Sequence, residues 1–194
     1  MPRNHTDTLR QALADLLRSQ SVAIGTFTLA SGRNSSYYID ARRTTMSAQG
    51  LQLIGDLGLQ EIRRAGWDAE AVGGLTLGAD PVAYAIARAS VAAPPIVQAF
   101  TVRKAAKPHG GKRRIEGCFA PGMAVVVVED VVTSGQSALH AIDALAAEGA
   151  RVSGVLAVVD RDEGGRGAIE RAGYPLRSLI ALSDLRLPPE IHQE

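Results

Sequence analysis

At 194 residues the chain is long enough for one domain with a substantial core and too short to suggest two full-sized ones. Apolar residues make up 46% and charged ones 21%, an ordinary globular balance, and no apolar run approaches the roughly 20 residues of a membrane span, which excludes a helical membrane protein. The net charge of +1 gives no general reason to bind nucleic acid, so any electrostatic function has to be local.

The first segment, MPRNHTDTLRQALADLLRSQ, carries Asp7 and Asp15 among its apolar positions and does not read as a secretory signal, which points to the cytoplasm. Leu9, Ala12, Leu13, Leu16 and Leu17 share one helical face, so an amphipathic helix is predicted over about 7–19, capped by Thr6 or Asp7. TFTLASGRNSSYYIDAR reads as two short strands joined by a turn at SGRNSS, and Ser47 caps a helix that runs to about Ala65 and closes on Gly66. Strands are then predicted at about Ala71–Gly74, at IVQAFTV, at MAVVVVED, at VSGVLAVVD and at PLRSLIAL. Helices are predicted over Pro81–Ala89, after MAVVVVED up to Glu148 with Gly149 as stop, and over Ala168–Ala172. Ala93-Pro94-Pro95 and Ala120-Pro121-Gly122 read as turns leading into strands. Continuous Val/Ile/Leu runs mean strands covered on both faces, and the alternation means a parallel sheet, so the expected fold is a doubly wound α/β core with an N-terminal appendage. The one cysteine, Cys118, has no disulfide partner or metal-ligating companions and is expected to be a small buried or half-buried hydrophobe.

Open α/β sheets bind ligands beyond the carboxyl ends of their strands. That rule selects four segments: Gly74 to Asp80, Arg103 to Arg114, Glu129 to Ser137 and Asp160 to Gly165. The richest is VVVVEDVVTSGQSALHAIDAL. Thr133, Ser134, Gly135, Gln136 and Ser137 stand where a loop enters a helix, where backbone N–H groups lack intrahelical partners and the helix dipole favours an anion. Neither GxxxxGK[ST] nor GxGxxG is present. Glu129 and Asp130 precede the turn directly, and carboxylates accept hydrogen bonds from vicinal hydroxyls. Acids often end parallel strands and Ser-Gly often starts helices, but the two together at this spacing fit a sugar phosphate, with its hydroxyls on the acids and its phosphate on the amides.

VVVVEDVVTSGQS resembles the phosphoribosyl diphosphate (PRPP) signature of type I phosphoribosyltransferases. VRKAAKPHGGKRRIEG at 102–117 resembles the mobile catalytic loop of the orotate phosphoribosyltransferases, FTLASGRNSSYYID their N-terminal segment, and VVDR the strand whose closing Arg meets orotate. The resemblance covers about residues 20 to 185 and implies a sheet of the type I kind under a small N-terminal α/β hood. The expected layout is one domain over 1–194: hood and first helix to about 45, PRPP-binding core over about 46–182, and a tail over 183–194.

The activity it implies is transfer of the phosphoribosyl group from PRPP to orotate, giving orotidine 5′-monophosphate and diphosphate in pyrimidine biosynthesis. PRPP would be bound by Arg103, Lys104, Lys107, His109, Glu129, Asp130, Val131, Val132, Thr133, Ser134, Gly135, Gln136 and Ser137. Lys107, His109 and Asp130 are the implied catalytic residues, with Lys107 assisting the leaving group. Thr133 and Arg161 would grip orotate, with Tyr38 and Ile39 bordering it; Arg161 could also be a surface arginine beside Asp160 and Asp162. Magnesium is expected as cofactor, held through PRPP and water rather than by a protein cage. The family likeness further implies a homodimer whose basic loop reaches the neighbour's site, with no nucleic-acid or membrane partner.

Two features depart from the family pattern: Ala30 stands where many members carry a Lys, and Leu77-Gly78 where many carry Tyr-Lys. Another acceptor base, or a PRPP-sensing regulator on the same fold, are the competing readings. His140 and His192 read as surface histidines, and Asp143 has no assigned role.

Overall fold

In the computed structural model the described residues are 5–28, 34–105 and 114–188. Helix α1 (His5–Gln20) leads into an antiparallel hairpin, β1 (Val22–Thr28) and β2 (Asn34–Ile39), with Val22 opposite Ile39 and Thr28 opposite Asn34. A short α2 (Arg42–Thr45) precedes α3 (Ala48–Arg64). The Ser47 hydroxyl accepts a hydrogen bond from the Gly50 N–H at 3.0 Å, and Gly66 takes the left-handed conformation (φ +69°) just past the end of α3, so both predicted ends of this helix are met.

From β3 (Ala71–Leu75) the chain continues through α4 (Ala79–Ala92), β4 (Gln98–Val102), β5 (Ile115–Gly117), β6 (Ala124–Val132), α5 (Gln136–Ala147), β7 (Arg151–Asp160), α6 (Gly165–Arg171) and β8 (Leu176–Ala181), followed by a 3-10 turn at Leu182–Leu185. The six strands lie in the order β5-β4-β3-β6-β7-β8. All neighbouring pairs from β4 to β8 are parallel. Strand β5 is antiparallel to β4 and forms the edge. It lies within the stretch read as basic loop, and three residues are too few for periodicity to reveal. Its pairing brings the loop back, with the Arg103 N–H donating to the Arg114 carbonyl at 2.8 Å.

The valine run divides between two layers. Val126 and Val128 pack with Leu13 and Leu17 of α1, Ile54 and Leu57 of α3, and Val82 and Ile86 of α4. Val125 and Val127 pack on the other face with Ile142 and Leu145 of α5 and Ile169 of α6. Each buried side chain of this kind stabilises the fold by roughly 1.5–3 kcal/mol before chain entropy is counted against it. The sheet is therefore covered on both faces, as expected for a doubly wound α/β fold.

Two details differ from expectation. Strand β6 runs two residues beyond the acid pair, because Val131 and Val132 still pair with Val159 and Asp160 of β7. Cys118 is exposed rather than buried, since it follows β5 at the sheet edge. Among the parallel strands the order is second, first, third, fourth, fifth, so the chain leaves β3 toward one face and β6 toward the other. The crevice at that switch point is where such sheets bind ligands.

Candidate active site

A cleft of about 380 Å³ opens at the carboxyl ends of β3 and β6. The hood supplies one wall, Tyr38 to Arg42, and the turn after β3 supplies Thr76, Leu77 and Gly78. Lys104, Glu129, Asp130, Val131, Thr133, Ser137 and Arg161 complete it. Each of the four segments selected from the sequence contributes. Larger hollows of about 560 and 700 Å³ lie by the 3-10 turn and between α3 and α4, away from the acid pair.

Glu129 is 4% exposed, and its buried Oε1 has no hydrogen-bond partner among the described residues. Burial, and then the neighbouring Asp130, push its carboxyl up to about 8. Asp130 is also raised, chiefly by burial, against the pull of the Val131 N–H at 2.9 Å and of Arg42. Burial thus favours the protonated form of the Glu129 carboxyl. Arg42 is oriented by Asp40, its Nε donating to Oδ1 at 2.8 Å and its Nη2 to Oδ2 at 3.2 Å. That guanidinium holds the Asp40 carboxyl below its ordinary value.

The phosphate cradle depends on one glycine conformation and one close approach. Gly135 caps α5 with φ +80°, a left-handed geometry that a side chain disfavours. Beneath it, a β-carbon on Gly165 would run into the Thr133 carbonyl and lie 2.8 Å from the Gly135 nitrogen. The start of α6 thus presses on the turn from below. Thr133 and Ser137 line the cleft, Ser134 and Gln136 are exposed on the same turn, and Val132 turns its side chain into the core.

Arg161 is 7% exposed, so it is not a surface arginine. Its guanidinium carbon stands 5.9 Å over the Tyr37 ring, and Nη2 lies 2.7 Å from Glu163 Oε1. Asp160 is occupied elsewhere, accepting from Arg166 Nε and the Asp162 N–H, each at 3.0 Å. The buried Nε of Arg161 has no hydrogen-bond partner among the described residues. Tyr38 is 44% exposed with its ring 5.8 Å from that of Phe27, while Ile39 is buried.

The basic arm is described only at its two roots. Arg103 Nη1 bonds Glu116 Oε1 at 3.2 Å, Arg114 reaches the Arg103 carbonyl at 3.4 Å, and Lys104 is exposed at the cleft. Lys107 and His109 lie outside the described residues, as do Gly110, Gly111, Lys112, Arg113, His192 and Ala30. Gly78 has a steric reason to be there: a β-carbon would sit 2.5–2.8 Å from three atoms of the Asp130 carboxylate. Sequence reasoning passed over Tyr37, Arg42 and the buttress at Gly165. Alternation along YYI could have flagged Tyr37 as the inward neighbour of two chosen residues, whereas the contact between Gly165 and Thr133 leaves no local signal.

No family model matches the chain. Curated relatives do: the orotate phosphoribosyltransferase of Corynebacterium glutamicum (strain R) is 51% identical over 178 residues, covering 92% of this chain and 94% of that one. The chain belongs to the orotate phosphoribosyltransferase family. Among solved members, the Mycobacterium tuberculosis H37Rv orotate phosphoribosyltransferase in complex with Fe(III) dicitrate superposes with a TM-score of 0.83 at 49% identity, covering 92% of this chain and 99% of that one. The same enzyme in complex with PRPP gives a TM-score of 0.76 at 41% identity, with 92% of each chain covered.

Proposed function

We propose that this protein transfers the 5-phosphoribosyl group of PRPP to orotate, releasing diphosphate and forming orotidine 5′-monophosphate in pyrimidine biosynthesis. The observation that carries the reading is one cleft lined by both Glu129 and Arg161, each with a buried polar atom that has no hydrogen-bond partner among the described residues, the acceptor Oε1 and the donor Nε. Buried polar groups without partners cost stability, and a ligand that satisfies both has hydroxyls at one end and a carboxylate at the other. Ribose hydroxyls on the acids and the orotate carboxylate on Arg161 meet that requirement.

In this reading the cradle at Thr133–Ser137 takes the 5-phosphate, Thr133 also faces the base, and Tyr38–Ile39 border the ring. The bond from the anomeric carbon to diphosphate breaks while an orotate ring nitrogen bonds that carbon. Positive charge on the sugar and negative charge on the leaving group grow together, so preorganised donors at the diphosphate are the largest aid the protein can give. The Thr76–Gly78 turn supplies amides there, and Arg103, Lys104, Lys107 and His109 supply charge, with Lys107 on the departing oxygen. Asp130 stands where it can stabilise the ribose as charge develops.

Magnesium fits this donor set. Glu129 and Asp130 offer hard oxygen ligands, and no cluster of three or more His, Cys, Asp or Glu among the described residues could hold a metal by itself. The ion would come with PRPP, held through its oxygens and water, and would supply positive charge against the diphosphate. The reading includes a homodimer that shares the basic arm: Tyr84, Leu77 and Met46 are large apolar side chains left 53%, 56% and 46% exposed, the first beside the hollow between α3 and α4. It also includes a cytoplasmic location; no described helix is long and apolar enough to cross a membrane.

The test follows orotate absorbance with purified protein and PRPP, with and without magnesium, beside reactions containing hypoxanthine, adenine and uracil. Consumption of orotate alone, dependent on PRPP and magnesium, is expected. Turnover of a purine instead would overturn the base assignment, and PRPP binding without turnover of any base would make the protein a sensor.

A further inference from the structure

One carboxylate outside the cleft wall has both oxygens committed to hydroxyls from opposite sides of the diphosphate end. Asp80 lies in the first turn of α4 and is half-buried. Its Oδ2 accepts from Thr76 Oγ1 at 2.7 Å, and its Oδ1 accepts from Thr101 Oγ1 at 2.8 Å. Thr76 begins the turn that walls the cleft; Thr101 lies in β4, two residues before Arg103. The backbone repeats the tie, with the Thr76 N–H donating to the Val102 carbonyl at 2.9 Å and the Asp80 N–H to the Leu77 carbonyl at 3.3 Å.

A carboxylate in the first turn of a helix is favoured by the helix dipole alone, and a solvated one would serve that purpose. Here the geometry is more demanding, because two hydroxyl donors, one from the turn after β3 and one from β4, need two acceptor oxygens on one side chain. The turn has little of its own to hold it: Leu77 is 56% exposed and Gly78 has no side chain. We propose that Asp80 is the positioning residue of the diphosphate end, holding the Thr76–Gly78 turn in register with the strand that launches Arg103 and Lys104. This rests on the PRPP reading of the cleft. Diphosphate would be gripped by amides of that turn and cations of that arm at once, and a displacement of about 1 Å between two such partners can cost on the order of a hundredfold in rate.

The test is calorimetric binding of magnesium diphosphate and, separately, of orotidine 5′-monophosphate, which fills the cradle and base subsite but has no diphosphate. Asp80→Asn, which turns one acceptor into a donor, and Thr101→Val are each expected to weaken diphosphate roughly tenfold and to leave the nucleotide within about twofold. Thr101→Ser, which returns the hydroxyl, is expected to restore binding, and the PRPP KM is expected to rise while the orotate KM holds. A proportional loss of both ligands would overturn the proposal in favour of a purely structural role. Diphosphate binding by Thr101→Val equal to wild type would overturn it too, and the Thr101 pair decides the matter if Asp80→Asn does not fold. Wild-type protein that binds neither ligand would instead bring down the PRPP reading, and the positioning role with it.

Discussion

The two ends of the cleft are built on opposite principles. At the cradle, Glu129 to Ser137 extend a strand buried on both faces, and Gly165 presses up from below, so position is set by packing. At the diphosphate end, an exposed turn and a basic arm meet, and position is set by the Asp80 hydrogen bonds and by the short β4–β5 pairing at the arm's roots. In the proposed function the cradle takes the 5-phosphate, a group present in substrate and product alike. The other end would then grip diphosphate as it leaves and let it go, which a rigid packed wall would do poorly.

The largest effect should therefore come from removing charge at the diphosphate end. Lys107→Ala is expected to lower turnover by roughly a hundredfold or more, about 3 kcal/mol of transition-state stabilisation, with the far-ultraviolet spectrum and melting temperature unchanged. Wild-type turnover in that variant would remove the leaving-group role. If the arm serves the neighbouring subunit, mixing Lys107→Ala chains with Asp130→Asn chains should recover part of the activity through hybrid sites. Absence of recovery, with mixed dimers demonstrated, would confine the arm to its own subunit.

A smaller loss, of a different kind, is expected from the rigid end. Gly165→Ala places a β-carbon against the Thr133 carbonyl and the Val132 side chain, an overpacking that costs about 1–3 kcal/mol of stability. Because the cradle is displaced, affinity for PRPP and for orotidine 5′-monophosphate should fall together. Diphosphate binding alone should be spared. Equal weakening of diphosphate would show that the two ends are not separable.

This contrast also explains what could be read from the sequence. The four valines, the two acids and Thr-Ser-Gly follow one another along the chain, so strand, cradle and helix start were legible as one pattern. Ser47 and Gly66 likewise announce a helix by local chemistry. Other features depend on residues distant in sequence. Thr101 meets Asp80 across 21 positions, and Gly165 meets Thr133 across the whole of α5 and β7. Strand β5 is recruited by β4 rather than by its own composition, which is why Cys118 beside it emerges exposed. The acids were legible, but the burial that raises Glu129 was not, because two valines after Asp130 continue the strand.

That burial supplies the subtlest prediction. The Glu129 carboxyl moves from an ordinary value of 4.5 to about 8 in the folded protein. Between those values the folded chain keeps a proton that the unfolded chain releases, so the contribution of Glu129 to stability is full below the lower value and is lost as pH rises through the upper one. Glu129→Gln cannot titrate, and its melting temperature should change less than wild type between about pH 5.5 and about pH 8.5, ending higher at the alkaline end. Parallel curves for the two proteins would mean that Glu129 is already ionised and that its buried oxygen has found a partner. With a steeper wild-type curve, PRPP and magnesium should release a proton on binding, detectable as heat that varies with the ionisation enthalpy of the buffer. Affinity for PRPP would then rise with pH over the same window. The rigid end would owe its grip to a carboxyl kept neutral until the sugar and its cation draw the proton out.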